Sequence, residues 1–411
     1  MKIGICVSAV QLDGATRTAF MFADACAAPG FSVTLLSPQT ARTALPLLRR
    51  GTGYIDLRRR WWESEIDLRL RLRRRLVRED FDLLFIMTGL PIPQLEQALH
   101  GLPTKTALVP VALGNSEHVY GPITRGRALW NVALTISPAL QTELSRRVPD
   151  RPIRLIPHGI DLPEPVAVDS RAAAAPGGPL RLLFVGRLVG LKNVMLLPKI
   201  LQACVARQLR VSLTIVGGGP DHAALVRGFA AAGLTALVDF RPEEAHPGLY
   251  EVYRSHHLLL FPSKPGEGLG LVVLEAQATG CVPVASRLEG VTDYSVRDGV
   301  TGRLAAVDDA ADFADQIVRL ADRSEWLRMS EAGIGHVADR FSLQRFSEAL
   351  LALVADISAQ AYPVERPGPP ASRAEEAPGD RLPLILRKGP GKLRKLAKQL
   401  MRSAVGKNRR N

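Results

Sequence analysis

Two carboxylates eight residues apart, Glu267 and Glu275, bracket the stretch Pro262-Ser-Lys-Pro-Gly-Glu-Gly-Leu-Gly-Leu-Val-Val-Leu-Glu-Ala-Gln-Ala-Thr-Gly280. Gly266, Gly268 and Gly270 allow a ligand to approach the backbone around Glu267. The apolar run from Leu271 reads as the start of a short helix, and Gly280 is placed to end it as a C-terminal cap. Free amides and the positive dipole end of such a start favour an anion, so a phosphate is expected near Leu271. A carboxylate repels a diphosphate. Two of them beside an anion site make sense if they accept hydrogen bonds from hydroxyls, which sugars and ribose supply. The competing reading makes Glu267 a solvated loop residue and Glu275 an exposed helix position.

Positive charge for a diphosphate is available in Gly186-Arg-Leu-Val-Gly-Leu-Lys-Asn193, where Arg187 and Lys192 share one short loop after a strand. The pair could clamp a diphosphate or be two solvated surface charges. Val216-Gly-Gly-Gly-Pro220 is a tight turn after another strand. It is no dinucleotide fingerprint, because Pro220 and Asp221 break the G-x-G-x-x-G spacing, and NAD is not expected.

The elements that must position these groups alternate between short apolar runs and helical stretches. Lys2 to Ser8 reads as a buried strand, followed by a polar turn, Gln11 to Gly14, and a helix from Thr16 to Ala28. Further strands are expected at Phe31 to Leu36, Leu83 to Met87, Ala107 to Ala112, Ala133 to Ile136 and Arg154 to Ile156. The first half is therefore a Rossmann-like α/β domain whose crevice lies at the carboxyl ends of its strands, with Asp13, Gly14, Thr16 and Arg17 at the mouth. Proline and alanine dominate 163–179, as in a linker. The α/β pattern then repeats, with strands at Leu180 to Val185, Leu213 to Val216, Leu258 to Phe261 and Val282 to Ala285.

A chain of 411 residues suits two or three domains, and 46% apolar content is enough for ordinary cores. Cys6, Cys26, Cys204 and Cys281 are too far apart for a metal or redox motif, which fits reduced, intracellular thiols. The apolar run at the amino terminus is shorter than a signal-peptide core, and no stretch reaches roughly twenty apolar residues. The net charge of +13 is local. Residues 381–411 hold eleven lysines and arginines and no acidic residue, while nine arginines lie between Arg58 and Arg78 around Trp61 and Trp62. Leu393, Leu396, Ala397, Leu400, Met401 and Ala404 fall at helical spacing among cations, which describes either an amphipathic helix for an anionic membrane surface or a disordered basic tail. No base-reading motif accompanies the charge, so no specific nucleic acid partner is expected. Asp80-Phe-Asp82 is a literal D-x-D, but it precedes a strand and reads as a strand entry, so no metal is implied.

Taken in order, Gly186-Arg187, Lys192, Gly217-Gly218-Gly219, Pro262-Ser263 and the Glu267 to Glu275 pattern resemble the GT-B glycosyltransferases of the retaining family 4. Val282-Pro-Val-Ala-Ser286 and Asp298-Gly-x-x-Gly302 follow at a fitting distance, and the likeness runs from Met1 to about Ala361. It implies an α/β fold of two Rossmann-like domains, 1–162 and 180–340, facing a central cleft. A terminal helix at 341–361 crosses back to the first domain, and a basic tail follows at 362–411. The resemblance casts Arg187 and Lys192 as the cations that neutralise a donor diphosphate, Glu267 as partner of the transferred sugar and Glu275 as partner of the ribose. Gly14, Gly217, Gly218, Ser263, Gly268, Leu269, Gly270 and Leu271 complete the donor-binding set, and His118 is the candidate beside the reacting sugar. His158-Gly-Ile-Asp161 is similar to the family's Asn-Gly-Ile-Asp segment, with histidine in place of asparagine. The first loop departs from paired glycines by carrying Asp13 before Gly14, and Arg241-Pro242 stand where a glycine is common.

The implied substrates are a UDP- or GDP-sugar and a saccharide or lipid-linked saccharide acceptor, without a cofactor. The implied location is the cytoplasm, with peripheral membrane contact. A nucleotide-sugar epimerase on the same fold and a non-catalytic sugar-binding protein are the alternatives.

Overall fold

The computed structural model describes residues 1–7, 14–37, 51–58, 60, 63–87, 98–100, 102–164, 178–242 and 248–362. The basic stretch 381–411, with its expected amphipathic helix, and most of the expected linker lie outside the described residues, as do Asp13, Trp61 and Trp62.

Short, almost wholly apolar runs are suited to strands buried on both faces, and they build two parallel sheets. The first contains β1 (Lys2–Cys6), β2 (Ser32–Ser37), β3 (Gly53–Asp56), β4 (Leu83–Met87), β5 (Ala107–Ala112), β6 (Ala133–Thr135) and β7 (Ile153–Leu155). Its order is β3-β2-β1-β4-β5-β6-β7. The second contains β8 (Leu180–Val185), β9 (Val211–Val216), β10 (Val238–Arg241), β11 (Leu258–Phe261), β12 (Val282–Ser286) and β13 (Arg303–Ala305), in the order β10-β9-β8-β11-β12-β13. The strand order reverses between β1 and β4 in one sheet and between β8 and β11 in the other. Loops at the carboxyl ends of those strands diverge there and leave a crevice for a ligand.

Covering the first sheet are α1 (Gly14–Ala27), α2 (Glu65–Glu79), α3 (Glu117–Arg125) and α4 (Pro138–Arg147). The second sheet carries α5 (Leu197–Ala206), α6 (His222–Ala231), α7 (Gly248–Arg254), α8 (Leu271–Thr279), α9 (Thr292–Ser295), α10 (Ala310–Arg319) and α11 (Arg323–Arg340). Much of the arginine-rich segment is α2, which starts at a reciprocal Ser64–Asp67 capping box and buries Leu68, Leu72 and Leu76. Two of its arginines are neutralised, Arg71 by Glu63 at 2.6 Å and Arg75 by Glu79 at 2.7 Å.

The last helix, α12 (Leu343–Ser358), returns to the first sheet. Ser342 caps it, and Phe346, Leu350, Leu353 and Val354 enter the core beside β1, β4 and α1. The rings of Phe346 and Phe22 lie 5.1 Å apart. The crossing is stitched by backbone hydrogen bonds from Ile160 N to Phe341 O at 2.8 Å and from Leu343 N to Ile160 O at 2.9 Å. A second apolar cluster passes between the halves, joining Ile136 and Leu140 to Leu269, Leu274 and Phe341. The two sheets are thus packed together around the crevice.

Candidate active site

The loop after β8 enters the crevice through a close interlock with the loop after β9. Leu188 N donates to Gly218 O at 2.8 Å, and Gly186 N donates to Val216 O at 3.0 Å. Gly217 has φ +138°, and a Cβ there would lie 2.1 Å from Gly186 O, so only glycine allows the two loops to nest. This holds the Arg187–Lys192 loop in place. Arg187 is exposed and, among the described residues, its side chain has no hydrogen-bond or ion-pair partner. Lys192 turns inward. Its Nζ lies 2.7 Å from Glu267 Oε1 and 5.1 Å from the centre of the Phe261 ring, in an attractive cation–π position.

Glu267 belongs to the loop after β11, which Lys264 N ties to Leu191 O at 2.9 Å. That loop leads directly into α8, which begins at Leu271 and ends at the left-handed Gly280, as the sequence predicts. Its first turn includes the hydrogen bond from Val273 N to Gly270 O at 2.9 Å. Gly268, Leu269, Gly270 and Leu271 therefore line the start of a helix at a topological switch point. Ser263 is fully buried, and its Oγ has no hydrogen-bond partner among the described residues.

The other half of the molecule touches this loop. Asn115 N donates to Gly266 O at 3.1 Å, and a Cβ on Gly268 would lie 2.3 Å from Leu113 O. Gly14 forms the first residue of α1. His118 is three residues beyond Asn115, on the first turn of α3. It is exposed, and its side chain makes no hydrogen bond among the described residues.

Neither carboxylate is a solvated surface charge, since Glu267 is 8% and Glu275 1% exposed. Glu275 has partners on two sides. Tyr253 Oη donates to its Oε2 at 2.9 Å, and Arg17, from α1 of the opposite half, pairs with Oε1. Burial and then the Glu275 charge hold the Tyr253 pKa well above the phenolic range, so Tyr253 stays protonated and a donor. Burial opposes the charge on Arg17, but Glu275 outweighs it and raises the guanidinium pKa. Arg17 also bonds Tyr250, whose hydroxyl donates to Asp161 O.

Next to this network, His158 Nε2 lies 3.3 Å from Thr18 Oγ1. Burial, reinforced by the Arg17 charge, pushes the His158 pKa down to about 3, so the ring is neutral. The D-x-D pair has other partners: Asp80 bonds Lys105 at 2.6 Å, and Asp82 accepts from Lys2 N at 2.7 Å. The sequence reading placed Arg17 at the crevice mouth but missed its tie to Glu275, and it missed Tyr250 and Tyr253 altogether. The one local signal was the i,i+3 spacing of those tyrosines, which gives them one helix face.

Two nucleotide-binding-type sheets facing one crevice define the GT-B fold, and the comparisons agree. HepE of Anabaena, solved in complex with UDP and glucose, superposes with TM-score 0.70 over 87% of this chain and all of its own, at 15% identity. Sucrose-phosphate synthase of Thermosynechococcus elongatus gives 0.71 over 87% of this chain and 99% of its own, at 21% identity. A family model described as glycosyl transferases group 1 matches residues 179–323, and one described as glycosyltransferase family 4 matches residues 12–164. The chain belongs to the family 4, group 1 glycosyltransferases. Among curated relatives, the D-inositol 3-phosphate glycosyltransferase of Saccharomonospora viridis is 35% identical over 213 residues, or 48% of this chain and 49% of the relative. Its namesake in Mycobacterium avium is 37% identical over 213 residues, 49% of this chain and 48% of its own. The chain spans about half the length of these relatives.

Proposed function

We propose that the protein is a retaining glycosyltransferase that moves a sugar from a nucleoside-diphosphate sugar to a saccharide or lipid-linked saccharide. The observation that carries this reading is the meeting of Lys192 and Glu267 at the start of α8, on loops from both strands of the switch point, with Arg187 on the same loop as Lys192. In this reading the diphosphate sits at the amides of Gly268 to Leu271, with Gly217, Gly218 and Ser263 lining its approach and Gly14 facing it from α1. Arg187 and Lys192 stabilise the charge that grows on the departing nucleoside diphosphate, each worth roughly 3 kcal/mol of barrier. Glu267 receives hydroxyls of the transferred sugar, and Glu275 receives those of the ribose. Contact between the two halves orients donor and acceptor and keeps water from the donor. With retention, the leaving phosphate takes the acceptor proton, and no protein base is obligatory. His118, exposed near the meeting of the halves, is the candidate side chain for the acceptor side.

The crystal structures of HepE with UDP and with UDP-glucose support a UDP-sugar as the first donor to try, with a GDP-sugar second. The relatives named for D-inositol 3-phosphate add a phosphorylated cyclitol to the acceptors worth testing. Incubation with UDP-glucose, UDP-N-acetylglucosamine and GDP-mannose, with and without saccharide or inositol phosphate acceptors, tests the reading. Acceptor-dependent release of nucleoside diphosphate with an α-linked product is expected. Sugar isomerisation without an acceptor would identify an epimerase instead.

A further inference from the structure

The ribose role of Glu275 meets an obstacle, because both of its carboxylate oxygens already have partners. Tyr253 holds one carboxylate oxygen from behind, and Arg17 covers the other from across the crevice. The Arg17 side chain is 37% exposed, whereas that of Glu275 is 1% exposed, so solvent reaches the pair on the guanidinium side. The two residues are 258 positions apart, on helices that cover different sheets. Lys192 and Glu267 form a comparable pair, but within one half of the molecule and on adjoining loops.

We infer that Arg17 is a donor-site residue that stands in for the ribose: it occupies the hydroxyl-accepting face of Glu275 and is displaced by the ribose diol as the donor enters. This rests on the donor-site reading above. The physical reason is a matter of what a buried carboxylate tolerates. Glu275 without a cation or donor on Oε1 would be a buried, half-satisfied charge, which is costly, and Arg17 is the protein's own donor to it. A guanidinium matches a carboxylate geometrically, and a vicinal diol offers two donors to the same group. Donor entry therefore exchanges an internal ligand for an external one and breaks a bond between the two halves. Arg17 acts as a built-in competitor, and it selects for ligands that carry both ribose hydroxyls.

Calorimetric titration of the full-length protein and its Arg17→Ala and Arg17→Lys variants tests this, with UDP, GDP and their 2′,3′-dideoxy analogues as probes. The expected result is five- to tenfold tighter binding of UDP or GDP to Arg17→Ala, a smaller gain for Arg17→Lys, and no gain for the dideoxy analogues. Unchanged or weaker binding of the ribonucleotides by both variants would overturn the inference, and so would an equal gain for the dideoxy forms. Binding of no nucleotide by any of the three proteins would overturn the donor-site reading and this inference with it. Wild-type binding without a gain in the variants would remove this inference alone. Arg17→Lys keeps a cation opposite Glu275, so it guards against loss of fold in the alanine variant.

Discussion

Arg187 and Lys192 share a loop, yet their environments predict different responses to truncation. The Arg187 side chain is exposed and free of partners among the described residues, so Arg187→Ala should leave stability within about 0.5 kcal/mol of wild type. It should still weaken nucleoside diphosphate binding about 10- to 100-fold, the worth of one charge-assisted hydrogen bond. Lys192 is the partner of the nearly buried Glu267, and Lys192→Ala leaves that carboxylate uncompensated. It should cost about 3 kcal/mol of stability as well as affinity, measured by denaturant unfolding beside the same titration. The sequence displayed both cations and both carboxylates because each sits in a short loop or helix with marked glycine spacing. Arg17 was legible as a residue of the crevice mouth but not as a partner of Glu275, since no local spacing encodes a contact across 258 residues.

At the scale of elements, the first turn of α8 and the crossing at His158 carry separate predictions. Gly268→Ala would push a Cβ to within 2.3 Å of Leu113 O, a backbone atom of the other half. The variant should lose the packed arrangement of the two halves, seen as a larger radius of gyration in X-ray scattering, with both sheets retained in far-ultraviolet circular dichroism. His158 has a folded pKa of about 3, below the value of about 6.5 for a free imidazole. Its contribution is fully present above pH 6.5. As pH falls from there toward 3, the unfolded chain binds a proton that the folded protein refuses, and stability is lost, on the order of 5 kcal/mol in total. His158→Asn, which restores the family residue, should flatten the acid limb of stability against pH between those values. The apolar strands β1, β4, β5, β8 and β11 were readable from composition alone. The four-residue β3 and three-residue β13 were not, because Gly53 and Asp56 in one and Arg303 in the other interrupt the apolar pattern. Strand ends also shifted by a residue or two, as at β6, since pairing with neighbours sets them.

For the molecule as a whole, the repeated α/β pattern carried the two-sheet architecture, and the packing of α12 on α1 gives the return crossing its purpose as a brace. No helix among the described residues is long and apolar enough to cross a membrane. A membrane role therefore rests on the basic charge of 381–411, which truncation would test. Tyr362 is the right endpoint, because its carbonyl accepts from Asn131 Nδ2 at 2.8 Å and its hydroxyl accepts from Arg154 Nε at 2.9 Å. The full chain should float with phosphatidylglycerol vesicles at low salt, and a chain ending at Tyr362 should not; equal flotation would contradict the role of the basic segment. The central claim is that the crevice binds a nucleoside diphosphate at the start of α8 with Arg187 as a clamp. Its most direct test is the shift in melting temperature of wild type and Arg187→Ala with UDP, GDP and their sugars. Ligand at a hundred times its Kd adds about 2.7 kcal/mol, which is a rise of several degrees for a chain of this size. The account predicts that rise for wild type and only about a seventh to a half of it for Arg187→Ala at the same concentration, and a wild-type protein that no nucleoside diphosphate stabilises would contradict it.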